Sequence, residues 1–444
     1  MVARITDSEQ YGHLWGTAEM RGVFDERARL QSWLDILVAL ARAQAALGIV
    51  PQRSADAIAA AADVERLDLE EVAAGTRATS HSTLGLIHAF QRVLPDEARE
   101  HVYLGATVQD LTDTWTGLVM GRVGAIVWRD LRTVEALLLD LAERHRATVM
   151  VGRTHGQPGA PITFGFKAAS WADEARRSLE RLHEGRHRWL VGQLAGAVGV
   201  LGFFGADGLE LRRQFCAQVG LGDPGVSWLT SRDRVVDFAQ VLALISGLLA
   251  RIGGEVYELQ RDEIGELREP VRPGTVSSIT MPHKRNPERS EHLDTLARLV
   301  RANTGVLLEA MVQHHERDGR GWKAEWVAFP EVCLYTGAGL QLAIELLSGL
   351  EVDAARMAAN LAARAASVNS EQLLAALSPE IGKHRAQAQL QSAYESGAAR
   401  GLPPWPEGTE GAAGKGALVA AIAMADSAVA RGRAARGAEA DEWR

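Results

Sequence analysis

The sequence predicts an all-α protein built on long helices, and three observations support this fold class. Prolines, which break helix interiors, are absent from several long windows. Apolar residues inside these windows recur at three- and four-residue intervals, the spacing of one helix face. Alternating runs of β-branched or aromatic residues, which are typical of strands, are nearly absent. The proline-free windows are residues 96–157, 162–223, 225–269, 288–329 and 331–378.

The clearest helical patterns cover residues 113–149, 235–267 and 288–312. Helices of this length exceed the usual globular length and predict a bundle of long helices. The middle helix is apolar over more than a third of its circumference, through Val241, Leu242, Leu244, Ile245, Leu248 and Leu249. Because a helix buried on all sides is hard to place in one small domain, an oligomeric bundle is favoured over a large monomeric one.

Two segments interrupt the predicted bundle. Residues 192–208 are rich in glycine, and residues 266–287 contain four prolines. After about residue 350 the sequence is rich in alanine and the helical patterns are shorter. A polar stretch with glycine and proline at residues 401–415 precedes one last helix.

Composition and charge narrow the class of protein. The 444 residues include 48 basic and 56 acidic side chains, and no basic stripe with interleaved aromatics supports nucleic-acid binding. Two cysteines, Cys216 and Cys333, are too few for a disulfide scaffold. The N-terminus lacks a signal-peptide pattern, and the longest apolar run, within residues 241–250, is too short to span a membrane. We therefore expect a cytoplasmic protein.

The most informative segment is residues 274–286, with the sequence GTVSSITMPHKRN. It places Ser277 and Ser278 in one loop with Lys284, which can hold an anion, and Asn286, which can donate to a carboxylate. An ordinary turn between two long helices would explain the same residues, and composition alone supports both interpretations equally.

Three further segments combine polar side chains with turn residues. They are GRTHGQPGAPITFG at residues 152–165, with Thr154 and His155; GATVQDLTDT at residues 105–114, with Thr107 and Gln109; and TSHST at residues 79–83, with His81. A hydrogen-bonded core histidine and a helix cap would explain the first two without any chemistry.

Two other patterns resemble a metal site and a nucleotide site, but each is better explained by a structural role without chemistry. The string HEGRH at residues 183–187 fits the zinc-protease pattern, but its charged flanks favour a solvated helix face. Residues 196–205 repeat glycine at every third position and follow no strand, which favours close packing or a mobile loop over a dinucleotide site. We therefore expect neither a metal nor another cofactor.

Together the motifs resemble the aspartase/fumarase superfamily. SSITMPHKRNP is similar to its Ser-rich signature loop, GRTHGQP to its Thr-His region and GATVQDLTDT to its Thr-Ser-x-Asp region. The start of the chain and the segment HERDGRGWKAEWVAFPE resemble the branch that contains adenylosuccinate lyase and 3-carboxy-cis,cis-muconate cycloisomerase. The resemblance covers most of the chain and is weakest after about residue 370.

The resemblance implies a three-domain α-helical fold. We expect an N-terminal helical domain at residues 1–104, a central long-helix bundle at residues 105–348 with a catalytic loop at about 270–287, and a small C-terminal helical domain at residues 349–444. It also implies a homotetramer with a core of roughly twenty helices, in which each active site takes segments from three subunits.

The resemblance also implies roles for individual residues. The base that removes a proton beside a carboxylate aligns with Ser278, with Ser277 as the alternative, and the general acid aligns with His155. Lys284 and Asn286 match positions that bind the carboxylate on which charge accumulates.

Further residues carry over from the same motifs. They are His81 as a second catalytic histidine, Thr107 and Gln109 as carboxylate-binding residues, and Thr154 and Arg232 as further substrate-binding residues. Val108 stands where the family usually has a serine, so we expect a more apolar distal pocket.

These roles predict a lyase that eliminates an amine-like group from an N-substituted succinate and releases fumarate. The alternative is lactonisation of the 3-carboxy-cis,cis-muconate cycloisomerase type, and a remote alternative is a catalytically silent structural relative. Intact Ser278, Lys284, Asn286 and His155 argue against the silent relative. The expected partner is a small dicarboxylate or tricarboxylate substrate, with neither nucleic acid nor a membrane.

Overall fold

The structure is a computed structural model that describes residues 4–271, 274, 278–281, 283–364, 368–396, 412–439 and 443. Over these residues the chain is mostly helical with four short strands, which confirms the predicted all-α class. Long helices occupy the three segments in which the apolar spacing was clearest.

The N-terminal part is a group of helices packed around one long central helix. The helices are α1 (Ala18–Phe24), α2 (Glu26–Ala46), α3 (Gln52–Ala61), α4 (Leu69–Thr79), α5 (Leu84–Val93) and α6 (Asp96–Arg99), with 3₁₀ turns at Ile5–Asp7, Gly12–Leu14 and Val64–Arg66. Asp25 precedes α2 as its N-cap residue, and its carboxylate accepts a hydrogen bond from the Ala28 N–H. Leu34 and Leu37 on α2 are fully buried in a core separate from that of the bundle.

Five long helices form the central bundle. They are α7 (Val108–Arg144), α8 (Phe164–Trp189), α10 (Asp233–Gln260), α11 (Glu288–Ala310) and α12 (Gly319–Ser348); the shorter α9 (Gly208–Gln218) follows a 3₁₀ turn at Gly205–Asp207 and packs on α2. Their leucine and valine side chains form one continuous apolar core. Arg232, just before α10, contacts Asp113 near the start of α7, so these two helices run in the same direction.

Two prolines lie inside helices rather than at their ends. Pro330 is in the middle of α12, so this helix spans the end of one proline-free window and the start of the next, and Pro379 lies inside the later helix Ser370–Ile381. A proline removes one N–H from the helix ladder, but the packing of α12 against α7, α10 and α11 outweighs that loss.

Two small antiparallel sheets lie beside the bundle. The first is a hairpin of β1 (Val149–Thr154) and β2 (Gln157–Thr163), which connects α7 to α8. The second pairs β3 (Leu267–Arg268), after α10, with β4 (Glu351–Val352), after α12.

The C-terminal part contains α13 (Ala354–Ala362), α14 (Ser370–Ile381), α15 (Lys383–Glu395) and α16 (Ala412–Ala438). The last helix lies along α7 and α8. Near its end, Glu439 contacts Arg132 and Arg176, and Trp443 is buried in the bundle core. The predicted domain boundaries after residues 104 and 348 stay predictions.

The helices α10 and α12 are long and apolar enough to cross a membrane. The sequence did not indicate this, because the longest uninterrupted apolar run, within residues 241–250, is too short to do so. Their most apolar windows are 61% and 67% buried inside the protein, as in core helices of a bundle.

Candidate active site

Backbone strain marks the segments that the motifs singled out. Five non-glycine residues among those described have a positive φ: Ser80, Tyr103, His155, Leu201 and His315. Four of them belong to, or lie within four residues of, the His81, Thr107 and His155 motifs and the glycine-rich segment. Such conformations cost of order 1–3 kcal/mol each and persist where surrounding contacts impose them, commonly at functional sites.

The β1–β2 hairpin carries His155 and Thr154 at its tip. His155 has φ 53° and Gly156 has φ 75°, which makes a tight turn closed by the pairing of Thr154 with Gln157. Both Thr154 and His155 are exposed in the single chain. At the base of this turn, Arg153 forms two hydrogen bonds of 2.9 and 2.8 Å with Glu266, which has no exposed surface.

The described part of the Ser-rich loop shows how the Ser278 hydroxyl is held. Its oxygen accepts a hydrogen bond of 3.1 Å from the backbone N–H of Met281. A donor of this kind favours a negatively charged oxygen, which a serine acting as a base must carry. Ser277 lies outside the described residues, so the choice between the two serines stays open.

A cavity of about 600 Å³ adjoins the end of this loop and is rich in basic residues. Lys284 and Asn286 line it together with Arg268, which sequence reasoning missed. Within the described part of the chain, no carboxylate lies within ion-pair distance of Lys284 or Arg268. Arg261 is paired with Glu258 at 3.3 Å, so it contributes less free positive charge.

The residues described so far, His155, Ser278 and Lys284, form the first group of predicted site residues. A second group surrounds the start of α7. The Thr107 hydroxyl caps this helix, and the Asp110 carboxylate accepts from the Thr107 N–H in return. Asp110 also accepts from the Ala195 and Gly196 N–H groups, which ties the glycine-rich segment to the helix. Burial raises the pKa of Asp110 to about 7, although these three donors act in the opposite direction.

Arg317 joins this second group, and sequence reasoning gave it no role. Its guanidinium donates to the Thr107 hydroxyl at 2.8 Å and to the Gly196 carbonyl at 3.3 Å. It lies in the segment HERDGRG, whose run of charges next to a helix start was the available signal. Thr107 also lines a cavity of about 330 Å³ whose other walls are glycine, alanine, valine, leucine and phenylalanine.

Gln109 and Arg232 occupy the interior of the chain. Gln109 is 1% exposed and donates to the Leu229 carbonyl at 3.1 Å. Arg232 is also 1% exposed and binds Asp113 and Glu325 on opposite sides. Burial raises the pKa of Asp113, while Arg232 acts in the opposite direction. Their predicted roles in substrate binding stay predictions.

The two groups of predicted residues lie at opposite ends of the bundle. Thr107 begins α7, whereas the hairpin with His155 follows its end, 37 residues later. At 1.5 Å per residue, α7 is about 55 Å long. The loop with Lys284 lies at the hairpin end, because Arg153 contacts Glu266 and the Gln260 side chain contacts the Arg285 carbonyl. A single chain therefore cannot bring Thr107 and the Ser278 loop to one substrate.

The HEGRH string lies on the solvent side of α8, as the sequence indicated. His183, Glu184 and His187 are exposed, and His183 contacts Arg186 on the same helix.

Comparisons with known proteins agree with the motifs. A family model described as a lyase matches residues 15–302. The chain is 41% identical over 386 residues to N-acetyl-S-(2-succino)cysteine lyase of Dickeya dadantii, covering 87% of this chain and 85% of that protein. It is 40% identical over 372 residues to 3-carboxy-cis,cis-muconate cycloisomerase of Pseudomonas aeruginosa, covering 83% of this chain and 81% of that protein. The crystal structure of 3-carboxy-cis,cis-muconate lactonizing enzyme from Pseudomonas putida is similar to this structure, with a TM-score of 0.86 and 34% sequence identity. The match covers 96% of this chain and 99% of the crystallised one.

Proposed function

Because the chain belongs to the lyase family of the aspartase/fumarase superfamily, we propose that it releases fumarate from a 2-substituted succinate by β-elimination. The leaving group is an amine or a thiol. The observation that carries this proposal is the 41% identity to a relative whose name describes a succinyl thioether as its substrate. The sequence motifs alone favoured an amine, and the relative adds sulfur to the candidates.

In the proposed reaction, Ser278 removes a proton from the carbon beside one carboxylate of the substrate. The electron pair of that C–H bond forms the double bond of fumarate, and the bond from the neighbouring carbon to the heteroatom breaks. His155 supplies a proton to the departing nitrogen or sulfur, so the proton taken and the proton given balance. The products are fumarate and the free amine or thiol.

The charge of the cavity near the loop supports a substrate with two carboxylates. Lys284 and Arg268 have no acidic partner among the described residues, and Asn286 lines the same cavity. Removing the proton places negative charge on a carboxylate, and fixed cations stabilise that charge more than they stabilise the ground state. We assign this role to Lys284 and Asn286.

We further propose that the enzyme acts as a homotetramer in which different chains complete each site. The separation of about 55 Å between Thr107 and the hairpin end supports this arrangement. In this arrangement the end of one chain with His81 and Thr107 meets the other end of neighbouring chains, with His155 and Ser278.

A second candidate is intramolecular lactonisation of a 3-carboxymuconate. It is favoured by the TM-score of 0.86 to a lactonizing enzyme and by 40% identity to a cycloisomerase. The two candidates differ in product, since elimination releases fumarate, whereas lactonisation gives an isomer of unchanged mass.

A product assay by mass spectrometry distinguishes the two. The purified enzyme is incubated with fumarate and a panel of amines and thiols, and in parallel with S-(2-succino)cysteine derivatives, adenylosuccinate and 3-carboxymuconate. We expect a succinyl adduct or released fumarate that disappears in Ser278→Ala. Consumption of 3-carboxymuconate alone, with an isomer as product, would replace elimination by lactonisation.

A further inference from the structure

The two ends of the Ser-rich loop are joined to each other beside the end of α10. The Arg285 guanidinium, at the second end, donates to the Glu269 carbonyl, at the first end, over 2.8 Å. The Glu269 carboxylate accepts from the N–H and the hydroxyl of Ser290, in the first turn of α11, at 2.7 and 2.6 Å. The loop therefore begins and ends on one hydrogen-bonded base.

Gln260, the last residue of α10, connects this base to the helix. Its side-chain oxygen accepts from the Glu269 N–H at 2.7 Å, and its side-chain nitrogen donates to the Arg285 carbonyl at 3.0 Å. The two backbone partners fix the orientation of the amide, because an N–H only donates and a carbonyl only accepts. Since α10 packs against α8, α11 and α12, the amide holds both loop ends from a rigid element.

A path of hydrogen bonds continues from this base to the predicted catalytic serine. The Lys284 N–H, one residue before Arg285, donates to the Met281 carbonyl at 2.9 Å. The Met281 N–H in turn donates to the Ser278 hydroxyl oxygen at 3.1 Å. The Ser278 oxygen is thus connected to the end of α10 through contacts between described residues.

We propose that Gln260 is a positioning residue that fixes both ends of the loop to α10 and so holds Ser278 where it removes the proton. The inference rests on the proposed function for the part that Ser278 plays. Gln260 lines the basic cavity, but both polar atoms of its side chain bond the ends of the loop. Proton transfer needs hydrogen-bond distance, and a base misplaced by about 1 Å lowers the rate on the order of 10²-fold.

Turnover by Gln260→Leu tests the positioning role, because leucine keeps a similar size and removes both hydrogen bonds. We expect kcat to fall about 30-fold with KM changed less than about threefold, since proton removal rather than substrate binding is impaired. Gln10→Leu is the matched control. Gln10 is exposed in the N-terminal segment, so this variant should keep the wild-type kcat.

The variant Gln260→Glu separates the two hydrogen bonds. An ionised carboxylate accepts from the Glu269 N–H but cannot donate to the Arg285 carbonyl, whereas a protonated carboxyl group does both. A glutamate in water has a pKa of about 4.3, so roughly a sixth of it is protonated at pH 5 and almost none at pH 8. The ratio of wild-type kcat to that of Gln260→Glu should therefore fall about fivefold from pH 8 to pH 5, while the ratio for Gln260→Leu stays constant.

A second readout does not depend on activity. The N–H groups of Met281 and Lys284 are hydrogen-bonded within the loop, so their exchange with deuterated water reports how firmly the loop is held. We expect exchange in the peptide that contains them, followed by mass spectrometry from milliseconds to minutes, to be about threefold faster in Gln260→Leu. Peptides from the middle of α7 are the internal reference, and Gln10→Leu should match wild type.

The outcomes separate the inference from the proposed function. If the enzyme turns over none of the proposed substrates, the exchange rates alone decide the inference. Unchanged exchange in Gln260→Leu, or a wild-type kcat in that variant, would overturn it. A higher KM at unchanged kcat would overturn it as well, because Gln260 would then bind substrate directly. A ratio for Gln260→Glu that does not change with pH would show that the bond to Arg285 has no part in positioning and would contradict the inference.

Discussion

Arg153 and Glu266 form a bidentate ion pair between the hairpin and the segment that leads into the Ser-rich loop. The two N–O distances are 2.9 and 2.8 Å, and Asn360 donates to the same carboxylate at 2.8 Å. His155 lies two residues beyond Arg153. The pair therefore links the positions of the predicted acid and of the loop that carries the predicted base.

Removing one partner of this pair should be strongly destabilising. Arg153→Met leaves the fully buried Glu266 without its cation, and we expect the free energy of unfolding to fall by about 3 kcal/mol. Urea unfolding at neutral pH measures this change. The control is Arg251→Met, which breaks an exposed pair with Glu174 and should cost less than about 1 kcal/mol. Equal losses in the two variants would contradict this account.

Asp110 should make stability depend on pH in a defined direction. Burial raises its pKa to about 7 in the folded chain, against the ordinary 3.8 of an aspartate in water, so the folded state binds more protons than the unfolded state between these two pH values. The stabilisation that this proton provides is present below about pH 4 and is lost as pH rises through about 7. From pH 5 to pH 8, wild type should therefore lose up to about 3 kcal/mol relative to Asp110→Asn.

Urea unfolding of both proteins at pH 5, 6, 7 and 8 measures this difference. Asp56→Asn removes an exposed carboxylate on α3 and should follow wild type across the whole range. A constant difference between wild type and Asp110→Asn would show that Asp110 is ionised throughout.

Hybrid assemblies should recover activity from two inactive chains. Ser278→Ala and Thr107→Val alter opposite ends of the bundle, so shared sites in mixed tetramers would combine intact segments from different chains. Random mixing should restore about a quarter of wild-type activity. Co-expression of Ser278→Ala with Lys284→Ala is the control, because both changes affect one loop. Equal activity in the two mixtures would argue against shared sites.

The leaving group should determine how much His155 matters. A thiol has a pKa near 8.5 and departs readily as a thiolate, whereas an amine must take up a proton as it leaves. His155→Ala should therefore lower kcat about 10²- to 10⁴-fold for an amine substrate and less than about tenfold for a succinyl thioether. Rapid-quench assays with both substrates give the two ratios, and Ser278→Ala should impair both reactions alike.

The helices were predictable because their apolar spacing is a local property of the sequence. The predicted segment 235–267 contains nearly all of the observed α10, and the predicted segment 288–312 contains all of α11. The β1–β2 hairpin was not predicted, because its two strands, VMVGRT and QPGAPIT, show no regular alternation of apolar and polar residues. Pro330 shows the converse, since a local breaker was overridden by packing on three neighbouring helices.

The site residues divide in the same way. Lys284 and His155 belong to short motifs and could be named from the sequence, although their roles stay predictions. Arg268 and Arg317 became visible only through their positions beside residues that lie far away in the sequence. Such contacts depend on how the bundle closes, which no local pattern records.

The helix α16 packs on α7 and α8 but is synthesised long after them, which affects how the protein folds on the ribosome. Arg132 and Glu439 are 307 residues apart in sequence, and roughly 220 residues separate the end of α8 from the start of α16. At the usual speed of translation, the ribosome needs roughly 10 to 45 s to synthesise the intervening chain. During that time the face that α16 will cover is in contact with water. Arg132, Glu135 and Arg176 lie on that face, and we expect their charges to keep the nascent chain hydrated until its covering helix emerges.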